Sequence, residues 1–427
     1  MKILEILGGK PLKGEIYIAG AKNASMPIII ASILSSEPCL IHNVPHVSDI
    51  TNLLRILTSI GTQITIDGNH TENPSKTILI QSQNLSSEVT DYKITKLIRT
   101  SVLLLGPLLA KNGYVKLARP GGCNIGDRKI DLHIMAMEKL GAVVVETDNY
   151  IEAKAPNGLV GTEIEFPFVS VGATENAITA SVTAKGVTTL KNVAIEPEIE
   201  DLINFLNKLG AKIYKTSERE LTIHGVEKLG STEHSIIQDR IEAATYAIAA
   251  AITDGSIILH NCPMSVFEYI HEILESVGVN IQNYNTNGII VTRSKNGLKP
   301  IEVETRPYPL FPTDLQPQLM TLLSLTKGIS IITESIFENR LQHVSELRKL
   351  GANITVNGNV ATIYGVDILH SGIVESTDLR AGAALVLAGL ASKEKIMVES
   401  AQYIDRGYQT FVKNLTRCGA HIKLKYN

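Results

Sequence analysis

One short phrase recurs six times along the 427-residue chain: a helix-like segment that ends in glycine and leads into an aliphatic residue. In each copy an apolar residue lies four positions before the glycine, and isoleucine or valine lies three positions after it. The glycines are Gly61, Gly141, Gly210, Gly278, Gly351 and Gly419. Because glycine adopts positive φ at little cost, the phrase predicts a helix that stops there and passes directly into a strand.

The residues before each glycine also recur in a fixed order. An apolar run with helical character comes first, a β-rich piece follows, and a second helix leads to the glycine; EAATYAIAAAI and then SIILHN are one example. Helices that alternate with strands in units of about 70 residues place the chain in the α/β (α+β) class. One such unit cannot bury both of its faces, so several must pack together, and a division into halves puts three copies in each.

Length and composition exclude several classes of protein. Hydrophobic residues make up 44% of the chain and charged residues 19%, the balance of a globular protein, and the length indicates two or three domains. The net charge of −3 lacks the basic surplus of a nucleic-acid-binding protein. No apolar segment is long enough to span a membrane, and we see no signal peptide, CxxC pair or metal-binding pattern. We therefore predict a cytoplasmic protein without nucleic-acid partner, membrane segment, metal or cofactor.

Cations recur at one place in the repeat, the predicted start of the first helix, 37 to 42 residues before the glycine. Four copies have Lys22, Arg99, Arg240 and Arg380 there, and the other two have Gly172 and Asp314. A second place, 11 to 13 residues before the glycine, has Arg128, Arg340 and Arg406.

A cation at a helix N-terminus is disfavoured by about 0.3–1 kcal/mol, so these side chains need an explanation. Each could reach water or pair with a carboxylate such as Asp378 or Asp405, and Asp314 could simply cap its helix. Alternatively they converge on a ligand, because arginine binds phosphate and carboxylate groups in a bidentate way. The chain has only 13 arginines against 27 lysines, so the recurrence of arginine favours a site for a small molecule with several anionic groups.

The segment RPGGCNIGDRKIDLH (residues 119–133) is too rich in glycine for a regular helix or strand and predicts a loop that exposes Cys123. Arg119 and Arg128 lie nearby in sequence, and neighbouring cations lower the pKa of a thiol and make it more reactive. The alternative is a small buried hydrophobe. We prefer that interpretation for the other three cysteines, Cys39, Cys262 and Cys418.

These segments resemble a known family, the UDP-N-acetylglucosamine enolpyruvyl transferases (1-carboxyvinyltransferases) of peptidoglycan synthesis. The matching motifs are GAKNA, RPGGCNIGDRKIDLH, SVGATEN, EPEIEDL, DRIEAAT, FPTDLQPQ, TESIFENR, STDLRAGAALVLAGL and IDRGY, and they extend over nearly the whole chain. The resemblance implies a two-domain inside-out α/β barrel with six βαβαββ-type repeats, three per domain. Residues 1–21 and 238–427 would form the C-terminal domain and residues 22–237 the N-terminal domain, with the active site in the cleft between them.

Carried over position by position, the resemblance implies two substrate sites and no metal. The site for phosphoenolpyruvate would comprise Lys22, Asn23, Arg128, Arg340, Arg380 and Arg406. The site for the UDP-sugar would comprise Asn23, Arg99, Arg128, Lys129, Ile130, Asp131, Leu132, Ser170, Val171, Gly172, Asp314 and Ile336. Asp314 would be the base that deprotonates the sugar hydroxyl, Cys123 would donate a proton to phosphoenolpyruvate, and Lys22 and Arg406 would also be catalytic.

The implied activity is transfer of the enolpyruvyl group of phosphoenolpyruvate to the 3′-hydroxyl of UDP-N-acetylglucosamine, the first committed step of cell-wall peptidoglycan synthesis. Two alternatives remain: transfer to shikimate 3-phosphate, and a non-catalytic protein that binds a nucleotide-sugar. The cysteine loop favours the UDP-sugar over shikimate 3-phosphate. The chain departs from residues common in the family at Lys129, Phe168 and Tyr403. The sequence does not define the oligomeric state, and we favour a monomer.

Overall fold

The structure is a computed structural model that describes residues 1–68, 75–89, 92–121 and 125–426. The described residues divide into two compact units. Unit 1 contains residues 1–19, 125–127 and 238–426, and unit 2 contains residues 20–121 and 128–237, apart from the gaps given above.

Two details differ from the domain boundaries that the resemblance implies. Residues 20 and 21 belong to unit 2, because the Ala21 amide donates a hydrogen bond of 2.7 Å to the Ile237 carbonyl of that unit. Residues 125–127 belong to unit 1, because the Ile125 carbonyl accepts a hydrogen bond of 3.0 Å from the Asn339 amide.

The strands up to residue 237 are β1 (Lys2–Leu7), β2 (Lys13–Tyr17), β3 (Cys39–Val44), β4 (Gln63–Asp67), β5 (Lys76–Gln81), β6 (Glu88–Val89), β7 (Tyr114–Ala118), β8 (Val143–Glu146), β9 (Tyr150–Lys154), β10 (Glu163–Glu165), β11 (Val187–Lys191), β12 (Lys212–Ser217), β13 (Glu220–His224) and β14 (Thr232–Ser235). The later strands are β15 (Ser256–His260), β16 (Val279–Asn285), β17 (Gly288–Arg293), β18 (Glu302–Thr305), β19 (Ile329–Glu334), β20 (Asn353–Asn357), β21 (Val360–Tyr364), β22 (Gly372–Glu375), β23 (Lys395–Glu399) and β24 (His421–Tyr426).

The α-helices are α1 (Lys22–Ala31), α2 (Ser48–Ser59), α3 (Tyr92–Thr95), α4 (Leu105–Asn112), α5 (Asp131–Lys139), α6 (Val171–Ser181), α7 (Pro197–Lys208), α8 (Arg240–Ile252), α9 (His271–Val277), α10 (Gln316–Ser324), α11 (Val344–Lys349), α12 (Leu379–Ala391) and α13 (Phe411–Arg417). Short 3₁₀ helices are Ser32–Leu34, Arg99–Leu104, Met264–Phe267, Thr313–Leu315, Arg340–His343 and Ala401–Arg406.

The strands form four-stranded sheets that share one order and one pattern of directions. Unit 2 has β14-β3-β5-β4, β6-β7-β9-β8 and β10-β11-β13-β12, and unit 1 has β2-β15-β17-β16, β18-β19-β21-β20 and β22-β23-β1-β24. In each sheet the first pair is parallel and the other two pairs are antiparallel. This is the βαβαββ repeat, so the predicted α/β class with six such repeats, three per unit, is confirmed.

Three of these repeats are completed by segments that are distant in sequence. In unit 1, β2 pairs in parallel with β15, with Lys13 opposite Ser256. Also in unit 1, β1 lies between β23 and β24, with Leu4 opposite Val398 and Leu424. In unit 2, β14 pairs in parallel with β3, which begins that unit's first repeat. Each unit therefore closes on itself.

The two helices of a repeat differ in burial. The first helices form the centre of each unit; in α12, for example, every residue from Leu379 to Leu390 is buried. The second helices bury one side only, as in α7, where Leu202, Phe205 and Leu206 are buried. The sheets bury alternate residues and expose the others, so each unit has helices inside and sheets outside.

The six repeated glycines lie where the sequence predicts, between the second helix and the following strand. Their φ angles are Gly61 105°, Gly141 94°, Gly210 103°, Gly278 101°, Gly351 90° and Gly419 97°. The apolar residue four positions before each glycine is fully buried: Leu57, Met137, Leu206, Leu274, Leu347 and Leu415. The predicted helix stop is thus confirmed, and it explains why glycine recurs there, since other residues rarely adopt this φ.

Candidate active site

The place in the repeat where cations recur is the first or second residue of each first helix, as predicted. Lys22 and Arg240 begin α1 and α8, and Arg380 is the second residue of α12. Arg99 begins the 3₁₀ helix that continues into α4, and Asp314 is the second residue of the one before α10. The repeat therefore places these side chains at helix N-termini, where backbone N–H groups favour anions.

In unit 1 the carboxylate of Asp314 lies between two arginines. Its Oδ1 accepts a hydrogen bond of 3.0 Å from Arg340 Nη2, and its Oδ2 accepts one of 2.8 Å from Arg380 Nη2. The two arginine side chains are 2% exposed and the Asp314 side chain is 25% exposed. Three of the residues that the sequence singled out are thus brought together at one place.

The sequence left open that Asp314 caps its helix and that the cations pair with Asp378 or Asp405, and these explanations are partly wrong. Asp314 does not cap its helix, because Pro312 occupies the cap position of the Thr313–Leu315 turn. Asp378 is not the ion-pair partner of Arg380; its Oδ1 accepts hydrogen bonds from the Arg380 and Ala381 backbone amides and caps α12. Asp405 pairs with Lys2 at 2.7 Å. Arg380 does pair with a carboxylate, but it is that of Asp314.

The two arginines keep hydrogen-bonding capacity that no described residue uses. Among the residues that the structure describes, Nε and Nη1 of Arg380 and Nε of Arg340 have no hydrogen-bond partner. Burial acts to lower the pKa of Arg380, but Asp314, Tyr408 and Asp239 outweigh it, so that the pKa is raised and the guanidinium stays charged. Buried donors on a permanent cation are suited to a phosphate or carboxylate group.

Glu334 orders the segment around Asp314 and Ile336, and the sequence analysis did not identify it. Its Oε1 accepts hydrogen bonds from the Ile336 and Phe337 amides at 3.0 and 3.2 Å, and its Oε2 accepts one from Thr313 Oγ1 at 3.0 Å. The only signal was the position of Glu334 in the motif TESIFENR.

The segment that follows Cys123 is attached to the same unit. The Asp127 amide donates a hydrogen bond of 2.6 Å to Glu338 Oε1, and Gly126 packs so closely on Glu338 that an added Cβ would lie 2.5 Å from Oε2. Cys123 itself lies outside the described residues. Arg406, also predicted to bind phosphate, is half-buried and ends the 3₁₀ helix Ala401–Arg406.

In unit 2 Lys22 forms an ion pair with a carboxylate that the sequence analysis missed. Lys22 Nζ lies 2.9 Å from Asp49 Oδ2, and the two side chains are 11% and 4% exposed. Asp49 is in the first turn of α2, which packs against α1, whereas the neighbouring Asn23 is exposed. The acidic first turn of α2 was visible in the sequence, but its contact with α1 was not.

Two predicted parts of the UDP-sugar site, residues 128–132 and 170–172, are adjacent in unit 2 because α5 packs against α6. Lys129 and Asp131 are exposed, Arg128 is half-buried with a φ of 45°, and Ile130 and Leu132 are buried. Ser170 caps α6, since its Oγ accepts a hydrogen bond of 3.4 Å from the Ala173 amide. Val171 and Phe168 are exposed.

His133 explains why the third repeat has Gly172 at the place where four of the other repeats have a cation. A Cβ on Gly172 would lie 3.1 Å from His133 Cε1, so the imidazole occupies the space of a side chain. Asn176 Nδ2 lies 3.0 Å from His133 Nδ1, while Asn176 Oδ1 already accepts a hydrogen bond from the Gly106 amide at 2.7 Å. His133 Nδ1 is therefore the acceptor and Nε2 carries the proton.

His133 is neutral at physiological pH. Burial, together with Arg99 and Arg128, lowers the pKa of His133 to about 3. The influence of both arginines shows that these predicted binding residues share one electrostatic environment. A neutral imidazole here adds a hydrogen-bond donor without adding charge.

The other three cysteines are free and buried, as predicted. Burial raises the pKa of Cys39 and of Cys418 to about 11, and burial with Glu242 raises that of Cys262 further. Within the described part of the chain, no group of three or more His, Cys, Asp or Glu residues could hold a metal ion, and no helix is long and apolar enough to cross a bilayer.

Comparisons with known proteins agree over nearly the whole length of the chain. The family described as EPSP synthase (3-phosphoshikimate 1-carboxyvinyltransferase) matches residues 6–415. The UDP-N-acetylglucosamine 1-carboxyvinyltransferases of Wolbachia sp. subsp. Drosophila simulans (strain wRi) and Finegoldia magna are 44% and 43% identical to it, over 99% of each chain.

Solved structures show the same fold at lower identity. The enolpyruvyl transferase NikO from Streptomyces tendae superimposes with a TM-score of 0.90 at 24% identity, over 99% of both chains. EPSP synthase from Acinetobacter baumannii gives 0.75 at 19% identity, over the full length of both chains. The chain therefore belongs to the EPSP synthase family of enolpyruvyl transferases, and within it to the UDP-N-acetylglucosamine 1-carboxyvinyltransferases.

Proposed function

We propose that this chain transfers the enolpyruvyl group of phosphoenolpyruvate to the 3′-hydroxyl of UDP-N-acetylglucosamine and releases phosphate, the first committed step of peptidoglycan synthesis. The structural observation that carries the proposal is the Asp314 carboxylate held between Arg340 and Arg380. This cluster combines a potential base with buried cationic donors, which is what the reaction of a hydroxyl group with an anionic substrate requires. The names of the relatives, at 43–44% identity over 99% of each chain, support the choice of substrates.

In the proposed reaction Asp314 removes the proton of the 3′-hydroxyl, and the oxygen bonds to C2 of phosphoenolpyruvate. Cys123 donates a proton to C3, which gives a tetrahedral ketal that carries the phosphate. Loss of a proton from the new methyl group and departure of phosphate then restore the double bond and leave the enolpyruvyl ether. The base and the acid act on different atoms, so both are needed for addition.

The cations offset the charge that both substrates bring. The phosphate of phosphoenolpyruvate is proposed to bind Lys22, Arg128 and Arg406, with Asn23 beside them. Its carboxylate is proposed to bind Arg340 and Arg380. The UDP-sugar is proposed to contact Asn23, Arg99, residues 128–132 and 170–172, Asp314 and Ile336. Cations placed before the reaction begins stabilise the developing charge without reorganising during it.

We further propose that the enzyme works in the cytoplasm as a monomer. The proposed partners are the two small-molecule substrates, without nucleic acid, membrane or cofactor.

Phosphate release tests the proposal directly. The purified chain is incubated with phosphoenolpyruvate alone, with UDP-N-acetylglucosamine added, or with shikimate 3-phosphate added. We expect phosphate release only with UDP-N-acetylglucosamine, together with a product heavier by one enolpyruvyl group. Release with shikimate 3-phosphate would select the alternative acceptor, and tight binding of the UDP-sugar without turnover would select the non-catalytic alternative.

A further inference from the structure

Three side chains beneath Asp314 form a buried network that the substrate contacts leave without a role. Thr245, Gln318 and Tyr408 are the last residues of the motifs DRIEAAT, FPTDLQPQ and IDRGY. Thr245 and Gln318 are fully buried, and Tyr408 is 2% exposed. They come from α8, from α10 and from the turn before α13, so the packing of unit 1 brings together three segments distant in sequence.

The hydrogen bonds of the network have a single consistent direction. Thr245 Oγ1 donates to the Ile241 carbonyl at 2.7 Å, so the hydroxyl of Tyr408 donates to Thr245 Oγ1 at 3.1 Å. Gln318 Nε2 has two hydrogens and lies near three acceptors: Tyr408 Oη at 2.9 Å, the backbone carbonyl of Asp314 at 3.0 Å and Thr245 Oγ1 at 3.1 Å. Because Thr245 Oγ1 already accepts from Tyr408, we assign the two hydrogens to Tyr408 Oη and the Asp314 carbonyl, the two shorter contacts. Burial raises the pKa of Tyr408 against the opposing effects of Arg380 and Thr245, so the hydroxyl keeps the proton that this direction requires.

The ring of Tyr408 also contacts Arg380, one of the two arginines that pair with Asp314. The guanidinium carbon of Arg380 lies 5.2 Å from the centre of the Tyr408 ring, within the range of a cation–π contact. The same guanidinium donates to Asp314 Oδ2. Tyr408 therefore supports Asp314 in two ways: its hydroxyl acts through Gln318 on the backbone, and its ring acts through Arg380 on the carboxylate.

We propose that Tyr408 is a positioning residue that sets the geometry of the base Asp314, through Gln318 and Arg380 together. The proposal rests on the proposed function of Asp314. A rigid support matters here because a displacement of about 1 Å at a reacting group can lower the rate about 100-fold. Three buried side chains that hydrogen-bond one another hold such a geometry better than a side chain on a surface loop, although Gln318 Oε1 has no hydrogen-bond partner among the described residues.

The test compares Tyr408→Phe with Tyr246→Phe. Tyr246 is also fully buried in unit 1, and its hydroxyl is bonded to Asn414 Nδ2 at 3.1 Å, in an interaction that does not reach Asp314. Each substitution removes one buried hydroxyl, so a merely structural effect would be similar in both variants. We expect kcat of Tyr408→Phe to fall about 10- to 100-fold, with KM for phosphoenolpyruvate within about twofold because the ring beside Arg380 remains.

Two further variants separate the two routes of support. Tyr408→Leu removes the ring as well, and we expect it to raise KM for phosphoenolpyruvate in addition to lowering kcat. Gln318→Leu should lower kcat by about as much as Tyr408→Phe does. The variant that carries both substitutions should have a kcat only slightly lower than either single variant, because both residues act through the same hydrogen bond.

The outcomes distinguish this proposal from the proposed function. An unmodified chain without UDP-sugar-dependent phosphate release would refute the function. An active unmodified chain would refute the positioning role alone if Tyr408→Phe kept its kcat, or if Tyr246→Phe lost as much. If Tyr408→Phe does not fold, the kcat of Gln318→Leu is compared with that of Tyr246→Phe instead. A Gln318→Leu variant that keeps its kcat, or a Tyr246→Phe variant that loses as much, would refute the positioning role.

Discussion

Arg380 donates a hydrogen bond of 2.8 Å to the carboxylate of Asp314, although 66 residues separate them in sequence. Both residues occupy the same place in successive repeats, the start of a first helix. The repeat thus supplies a carboxylate from one copy and a cation from the next, and packing of α10 against α12 brings them together. The start of the first helix therefore carries different side chains in different repeats, and those of Asp314 and Arg380 are in contact.

The Asp314 carboxylate is the first part of this arrangement to test. Asp314→Asn keeps an acceptor for one arginine but removes the negative charge and the base, so we expect turnover to fall by about two orders of magnitude or more. The measurement is UDP-sugar-dependent phosphate release. Asp405→Asn is the matched control, because Asp405 pairs with Lys2 and is 52% exposed, and it should retain full turnover. Wild-type turnover in Asp314→Asn would remove Asp314 from the mechanism.

Cys123 is expected to be the one reactive thiol. Fosfomycin, an epoxide that resembles phosphoenolpyruvate, should alkylate it, and the UDP-sugar should accelerate the reaction. Cys39 and Cys418 are buried with a pKa raised to about 11, so they are protonated at neutral pH and should not react. Peptide mass spectrometry after treatment locates the adduct.

Two substitutions of Cys123 separate its role as a nucleophile from its role as an acid. Cys123→Asp should resist the drug and keep part of the turnover, because a carboxyl group can still donate a proton. Cys123→Ala should resist the drug and lose most of the turnover. An adduct on another cysteine, or full activity of the alanine variant, would contradict the assignment.

Glu242 should make the stability of the protein depend on pH. Burial, together with Asp239, raises the pKa of Glu242 from 4.5 to about 8, against the opposing effects of the Ala19 amide and Arg380. Between these values the folded state holds a proton that the unfolded state has released, so the free energy of unfolding should fall as pH rises from about 5 to about 8. Each pKa unit corresponds to about 1.4 kcal/mol.

Glu242→Gln cannot ionise and should lose this pH dependence, so that its advantage in stability over the wild type grows from pH 5.5 to pH 8.5. Urea denaturation at both pH values gives the difference. Glu302→Gln, on the exposed surface of the same unit, serves as the control and should follow the wild type. Parallel curves for wild type and Glu242→Gln would show that Glu242 is not protonated in the folded state.

The repeated glycines can be tested with a pair of positions in unit 2. Gly210 has a φ of 103°, and an added Cβ would meet no atom within 4 Å. Gly210→Ala should therefore destabilise the protein by backbone strain alone, by about 1–2 kcal/mol. At Gly230 the φ angle is not positive and the nearest atom to an added Cβ is at 3.7 Å, so Gly230→Ala should be neutral or stabilise by up to about 1 kcal/mol. Thermal denaturation of both variants measures this; equal effects would refute the role assigned to φ.

The sequence by itself determined the repeat, the class of fold and the positions at which charges occur. These properties are local: a glycine that must adopt positive φ, such as Gly210, and an apolar residue one helical turn before it, such as Leu206, are visible wherever the chain is read. The motifs by themselves also indicate the family. The sequence even located the first residue of α8 and α12 to within one position.

Only the tertiary structure decided which charges meet. Asp314 was expected as a base or a helix cap, yet its two arginine partners became visible only when α10 and α12 packed together. The same holds for Asp49 beside Lys22, and for Arg240, which lies over the Tyr308 ring at 5.8 Å. A helix start is set by residues within a few positions of it, whereas an ion pair depends on how separate helices pack, which no local pattern encodes.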